Sequence, residues 1–382
     1  MRLSRSLFVV AALLLIGSIA QAQAQKPLPP PKTWTVVYMA ADSQWLAVNS
    51  QGTVVGRCID GAIVARPTTG YAKEFLRLTL SSADYAVWDL RTAECINDSY
   101  EQIAGTAKLL KAGVWTDVGY RYTPVAGSTP IVEEIPATYF KPLSDGTMPY
   151  VVPAAITEFG DAIGTCGNGG DTSYADVVLF SGNPGYGQNR VLLSGNYGTW
   201  NDIDINDRLV VCGTTKPSGG WKRKAYRYTV ATKSLEIFTP LATLKGSTPD
   251  DESMALTINN DGTWGGYALA LQSNKVNYHH ACTYTYSPLI KYDLHKGIAL
   301  NKSSKIRSLN NQNIAVGHLW DSSSISEGFV CPGNDYMYTL NEVSNIGPGS
   351  YDPTCVSDTN IIVGRYRIAG QNYFAGFIML PN

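Results

Sequence analysis

Val48-Asn-Ser-Gln-Gly-Thr-Val-Val-Gly56 is a short phrase in which an apolar residue and Asn enter a turn, and an apolar strand leaves it for Gly. The phrase returns as Ile96-Asn97…Gly105, Ile156-Thr157…Gly164 and Ile205-Asn206…Gly213. It continues as Ile258-Asn259…Gly266, Leu309-Asn310…Gly317 and Val356-Ser357…Gly364. Successive starts lie roughly fifty residues apart, the period of a propeller blade and not of a helical solenoid. Seven such units predict an all-β chain: a seven-bladed β-propeller with four-stranded antiparallel blades.

The turns carry their own chemistry. Clusters such as Asn206-Asp207, Asn259-Asn260-Asp261-Gly262 and Asn97-Asp98-Ser99 sit between apolar runs. Asn and Asp bond their own main chain and tolerate left-handed backbone, so these read as hairpins. The closing Gly follows the Asn by seven residues in six copies, and the second copy holds one extra residue, read as a bulge. Second hairpins follow, as in Tyr226–Phe238 and Ile290–Gly297, which brings each unit to four strands. Thr33–Met39 reads as a strand without a blade, and the last blade, ending in Tyr373–Met379, lacks an outer strand. The N-terminal strand is therefore predicted to complete blade seven and leave no open edge.

The apolar-Asn-Asp-x-Gly-x-apolar-Val-Gly pattern resembles the HAF family of probable extracellular repeats, and more distantly the NHL and kelch propellers. Val48–Gly56 and Ile205–Gly213 carry it best, while Thr157 and Ser357 depart from it in the Asn slot. The resemblance spans nearly the whole chain after its leader. It implies a propeller and export, and it supplies no catalytic residues.

The first residues agree with export. Arg2 and Arg5 precede an apolar run from Leu7 to Ala20, and Ala20-Gln-Ala22 and Ala22-Gln-Ala24 offer small-x-small cleavage sites. Residues 1–24 are read as a signal peptide, 25–32 as a Pro-rich leader and 33–382 as the propeller. The apolar run is short for a bilayer span, so a secreted or periplasmic protein with no membrane association after cleavage is expected. Thirty Lys and Arg against 31 Asp and Glu give a net charge of −1. That balance offers no electrostatic case for nucleic acid. The seven cysteines form no C-x-x-C, which removes a zinc knuckle or a thioredoxin-like motif. Cys95 and Cys355 share a slot filled elsewhere by small residues such as Ala47 and Ala155, consistent with small buried hydrophobes. No cofactor motif is present.

If the Asn turns lie on one face, the residues after each closing Gly lie on the other. In ring order these are Arg57, Thr106, Thr165, Thr214, Tyr267, His318 and Arg365. Tyr267, His318, Arg365 and Arg57 are consecutive around a closed ring and form a polar crescent. Tyr278, His279 and His280 are expected in a loop of blade five on the same face, with Trp320 nearby. Arginine forks suit a carboxylate or sulfate, and Trp200, Trp320, Tyr267 and Tyr278 suit sugar stacking. The expected function is an exported binding or scaffolding protein that recognises carbohydrate at the channel mouth.

One alternative is a polysaccharide lyase acting on uronate polymers by β-elimination. His318 would take the proton, Tyr267 would protonate the leaving oxygen, and Arg57 and Arg365 would neutralise the carboxylate. Another is a protein–protein interaction platform. A metal held by His279, His280 and His318 is disfavoured, because neighbours on a strand point to opposite faces. His295 is placed in a turn on the far face. Asp202-Ile-Asp204-Ile-Asn206-Asp207 lacks the Gly and Glu of a calcium loop, and Gly167–Asp171 is followed by no helix pattern. Asp250-Asp251-Glu252 could supply half of a glycosidase site.

Overall fold

Asn310 shows what the repeated phrase is for. Its Oδ1 accepts the N–H of Ile314 at 2.9 Å, closing its own turn. Its Nδ2 donates to the Ser357 carbonyl of the next blade at 2.9 Å. Asn206 and Asn259 do the same, donating to the carbonyls of Asn259 and Asn310. Asn49 donates to the Asn97 carbonyl, and Asn97 to that of Thr157. One amide thus satisfies a turn and ties two blades. Thr157 and Ser357 keep the first duty through their hydroxyls, which accept the N–H of Asp161 and Ile361. Lacking an amide, they leave the inter-blade tie to other groups. The Glu158 N–H donates to Asp207, and the Thr359 hydroxyl donates to the Ser50 carbonyl.

The computed structural model describes residues 33–382 apart from 77–86, 112, 136–149, 168–174, 182–189, 199–201, 217–221, 239–251, 272–276, 287–288, 296–301, 322–323, 334–335, 347–348 and 368–373. The leader, the Pro-rich spacer, Trp200, residues 168–171 and Asp250-Asp251 lie outside the described residues. Within them the chain forms seven antiparallel sheets in chain order around a ring. Blade one is Ser43–Val48, Val54–Cys58, Gly61–Ala65 and Glu74–Phe75. Blade five is Ser253–Ile258, Trp264–Leu271, Asn277–Tyr286 and Leu289–Asp293. Blade six is Ser303–Leu309, Ile314–Asp321, Ser324–Pro332 and Tyr338–Thr339. In blade two the inner edge is split, with Val87–Leu90 and Cys95–Ile96 both paired to Ile103–Lys111. The one α-helix among the described residues is the single turn Leu340–Val343, capped reciprocally by Thr339 and Glu342.

Blade seven closes the ring as the sequence predicts. Trp34–Ala40 lies antiparallel on Phe374–Pro381, outside Ile362–Arg367 and Ser350–Val356. Trp34 anchors this latch. It is buried against Val316, Leu340, Phe377 and Met379, and its indole N–H donates to the Asn360 carbonyl at 2.8 Å.

Two details of the repeat differ from the sequence reading. The left-handed residue of each turn is not the Asn but the residue closing it: Gly52, Glu101, Gly160, Leu209, Gly262, Asn313 and Asn360 all have positive φ. The Asn is selected for hydrogen bonding. The extra residue of copy two widens the turn, since Gln102 bonds Asn97 where other copies use the fourth residue on. The bulges lie instead on the inner strands, between Trp45 and Ala47, Ile306 and Ser308, and Pro353 and Cys355 among others. They explain the closing glycine. A methyl group at Gly266 or Gly317 would land on the Met254 or Lys305 carbonyl oxygen. Aromatic rings from the third strand cover the exposed glycine backbone, with Tyr120 opposite Gly105 and Phe329 opposite Gly317.

The core lies between blades. Trp264 stacks on Tyr284 at 3.9 Å within blade five, and Phe238 of blade four meets both rings. Each blade is therefore stabilised by its neighbours, and the ring depends on its seam.

Trp34→Ala is expected to lower the unfolding free energy by about 3–5 kcal/mol, read as the urea midpoint. Val37→Ala on the same strand, where the side chain is exposed, is the control that should change little. Asn310→Ala, which loses a turn cap and a blade tie, is expected to cost about 2–3 kcal/mol. Asn310→Ser should cost less, because a hydroxyl keeps the cap as it does at Ser357.

Candidate functional site

The inner strands surround a central channel cavity of about 250 Å³. Bulges on the inner strands of blades one, three, five, six and seven direct Leu46, Ala154, Leu256, Arg307 and Thr354 into it. Glu94 and Asp204 add carboxylates. Asp204 grips the next blade by accepting the Ile258 N–H at 2.9 Å. Burial pushes its pKa up to about 6, against the hydrogen bonds from Ile258, Ile205 and Thr257. Ser308 occupies the same slot in blade six and accepts the Val356 N–H. Cys95 and Cys355 fill that slot too, and both carry free thiols. Burial raises both, Cys355 to about 11, so they remain protonated.

The crescent divides into three parts. Asp352, on the inner strand of blade seven, gathers the first. His318 Nδ1 lies 2.7 Å from Asp352 Oδ1. Arg365 donates to Oδ2 through Nε at 3.0 Å and Nη2 at 2.9 Å. Asp352 is only 2% exposed, so this pair of partners satisfies a buried charge. Burial alone would raise the Asp352 pKa. The His318 hydrogen bond and the charges of Arg307 and Arg365 outweigh it and hold the carboxyl well below its usual range. Burial lowers the His318 pKa more than Asp352 raises it, so its imidazole is neutral at pH 7. With Nδ1 held by Asp352, no described group bonds Nε2.

The second part is an aromatic layer. Tyr267 meets His279 edge-on at 4.6 Å, and His279 stacks on Trp320 at 5.8 Å. Trp320 in turn meets His318 edge-on at 5.6 Å, joining this layer to the Asp352 cluster. Trp320 is half-buried. Tyr267 is buried and donates its hydroxyl to Glu252 at 3.2 Å, and burial raises its pKa strongly. Glu252 also lies 3.8 Å from His279 Nε2, and that partner holds its carboxyl below the ordinary value.

The third part is Arg57, which stands apart. It is exposed and donates through Nε and Nη2 to Gln44 Oε1 at 3.2 and 3.1 Å. The structure thus joins Tyr267, His279, Trp320, His318 and Arg365, and leaves Arg57 on the blade-one side with Gln44. Thr165 and Thr214 are buried.

Tyr278, His279 and His280 do not lie in a loop but on the third strand of blade five, Asn277–Tyr286. The alternation of that strand sends His279 to Trp320 and His280 the other way. His280 Nδ1 is 3.0 Å from Asp293, and its ring stacks on His295 at 4.2 Å. His295 is therefore not on the far face. It leads into blade six, where its Nδ1 is 2.7 Å from the Ser304 hydroxyl. His279, His280 and His318 do not converge. Among the described residues no group of three or more His, Cys, Asp and Glu is arranged to hold a metal ion.

The sequence reading missed Asp352, Glu252 as a partner of Tyr267, Lys305 and Arg307. Asp352 and Lys305 sit opposite Arg365 and His318 across the first strand pair of their blades. A search one strand upstream of each closing glycine would have found them.

No protein-family model matches the chain, and no curated protein matches it. Solved structures do resemble it in shape. The extracellular domain of a one-component system from B. thetaiotaomicron matches 91% of this chain at 10% identity with a TM-score of 0.45. The match spans 40% of that protein's length. The β-propeller domain of the Trilobed protease from Pyrococcus furiosus, which has an open velcro topology, matches 72% of this chain and 90% of its own at 10% identity and a TM-score of 0.37. The α-L-arabinofuranosidase of Podospora anserina, in complex with cellotriose, matches 93% of this chain and 98% of its own at 11% identity and a TM-score of 0.31. Similarity this low carries nothing about chemistry. Among the described residues no helix is long and apolar enough to cross a membrane.

Asp352→Asn is expected to cost about 3–5 kcal/mol at pH 7, because it leaves Arg365 facing a neutral amide in a buried site. A carboxyl with a lowered folded pKa stabilises above its unfolded pKa, and that gain is lost as pH falls through the folded value. The difference between wild type and variant should therefore persist at pH 5 and shrink only in strong acid. The neutral His318 adds a loss of stability in wild type as pH falls below about 6.5, which His318→Gln should remove. Urea unfolding across pH checks both.

Proposed function

We propose that this chain is an exported propeller of the HAF-like repeat type that binds carbohydrate at the crescent side of its channel. The observation that carries the reading is the continuous layer Tyr267–His279–Trp320–His318, flanked by Glu252 at one end and Asp352 with Arg365 at the other. A half-buried indole beside ordered polar groups is what a sugar ring requires. Its C–H face packs on the aromatic surface and its hydroxyls meet fixed donors and acceptors. The leader read in residues 1–24 supports export.

A lyase is the second reading, favoured by His318. The Asp352 bond fixes the Nδ1–H tautomer, and burial keeps the ring neutral, so Nε2 carries a lone pair able to accept a proton. The Tyr267 hydroxyl, the acid of that reading, faces Glu252 Oε1 at 3.2 Å and Met254 Sδ at 2.6 Å, and it would turn from both to reach a leaving oxygen.

An array of neutral and acidic glycans, followed by titration of the best binder, tests the main reading. Trp320→Ala is expected to weaken binding at least about tenfold while leaving the fold intact. Binding of no glycan, or full affinity in Trp320→Ala, would refute it. Near-ultraviolet absorbance growing on uronate polymers, and lost in His318→Ala, would establish the lyase instead.

A further inference from the structure

Three cations crowd the end of the channel between blades six and seven. Lys305 and Arg307 lie on the inner strand Ser303–Leu309, Arg307 at its bulge, and their charges act on each other and on Asp352. Arg307 lines the channel. Arg365 comes from the second strand of blade seven. Two carboxylates face them, Asp352 and Asp202. Asp352 is already engaged by His318 and Arg365. Arg307 comes no closer to it than 4.0 Å, beyond hydrogen-bonding distance. Lys305 makes no hydrogen bond or ion pair among the described residues.

Half-buried positive charge without a matching counter-ion is costly. Lys305 registers that cost. Burial, then Arg307 and Arg365, push its pKa down to about 8 against the pull of Asp202 and Asp352. His318, its cross-strand neighbour, adds no charge at pH 7 because burial keeps it neutral. Among the groups that act on Lys305, three cations including itself stand against two carboxylates, a difference that one monoanion balances, while Glu94 and Asp204 line the channel from blades two and four. Arg307 presents a planar fork, the shape that matches a carboxylate. Trp320, against which His318 packs, offers a surface for the ring bearing that carboxylate.

We propose that Lys305, Arg307 and Arg365 form a subsite for the carboxylate of a uronic acid residue, beside the Trp320 surface. The proposal rests on the carbohydrate reading and names the class of sugar. Bound anion stabilises the protonated amine, so binding takes up a proton near pH 8 and weakens as pH rises through that value.

The test is isothermal titration of the full chain with trigalacturonate and with its methyl ester, which keeps the shape and removes the charge. The acid is expected to bind at least tenfold more tightly than the ester. Arg307→Gln should abolish that preference and Arg307→Lys should retain part of it. The preference should decline between pH 7 and pH 9, and Lys305→Arg should flatten the decline. If acid and ester bind alike, or the preference survives Arg307→Gln, the subsite is overturned while the carbohydrate reading stands. If neither sugar binds and acetate alone binds in an Arg307-dependent way, the site takes a simple carboxylate and the uronate assignment is overturned. If a sulfated, uncharged-carboxyl oligosaccharide binds where trigalacturonate does not, the assignment to a carboxylate is overturned.

Discussion

The ring depends on one amide used twice. In this propeller the inner strand of each blade ends in a turn, and each turn must be closed and held against the next. The Asn at the head of the phrase does both, with its oxygen folded onto its own turn and its nitrogen extended to the neighbouring carbonyl. Because the tie is repeated, strain at one blade is shared around the circle. Where the amide is absent, at Thr157 and Ser357, carboxylate and hydroxyl groups carry the connection. The seam between blades seven and one is one of these two places. The Thr354 hydroxyl bond to the Trp45 carbonyl reinforces it there, and the strand Trp34–Ala40, paired in blade seven, runs directly on into blade one.

The same inner strands that build this girdle also position the site. A bulge one turn before the Asn brings the strand so close to its neighbour that only glycine fits opposite it. It also directs an odd residue into the channel, and in blade six that residue is Arg307. The residue after the glycine then emerges beside the start of the inner strand. That is why His318 stands next to Lys305 and Arg365 next to Asp352. Structural repeat and chemical site are therefore not separable: the glycine needed for packing fixes where the polar side chains appear.

Electrostatics within the site run in opposite senses on two sides. The aromatic side, Tyr267 with Glu252, is closed on itself, with the hydroxyl and carboxylate satisfying each other. The blade-six and blade-seven side is charged beyond its own needs. Buried groups in the channel wall follow a third pattern. Asp204 and the thiols of Cys95 and Cys355 are pushed toward their neutral forms, which suits groups that hold blades together.

The sequence by itself determined the architecture, because the phrase beginning at Val48 encodes a local object, a turn and a strand pair, and its copies leave few ways to assemble. It also determined the latch, since one strand too many at Thr33–Met39 met one too few at the end. Tyr267, His318 and Arg365 were legible as facing one side, because their distance from the glycine is fixed along the chain. Tertiary structure decided what those residues do. Asp352 met Arg365 and Glu252 met Tyr267 only through strand pairing within their own blades, and His318 met Asp352 only across the boundary between blades six and seven. Arg57 and Gln44 turned out to satisfy each other, and His280 to face away from His279. Charge pairing depends on distances of a few ångströms between segments far apart in the chain, and no local pattern records those.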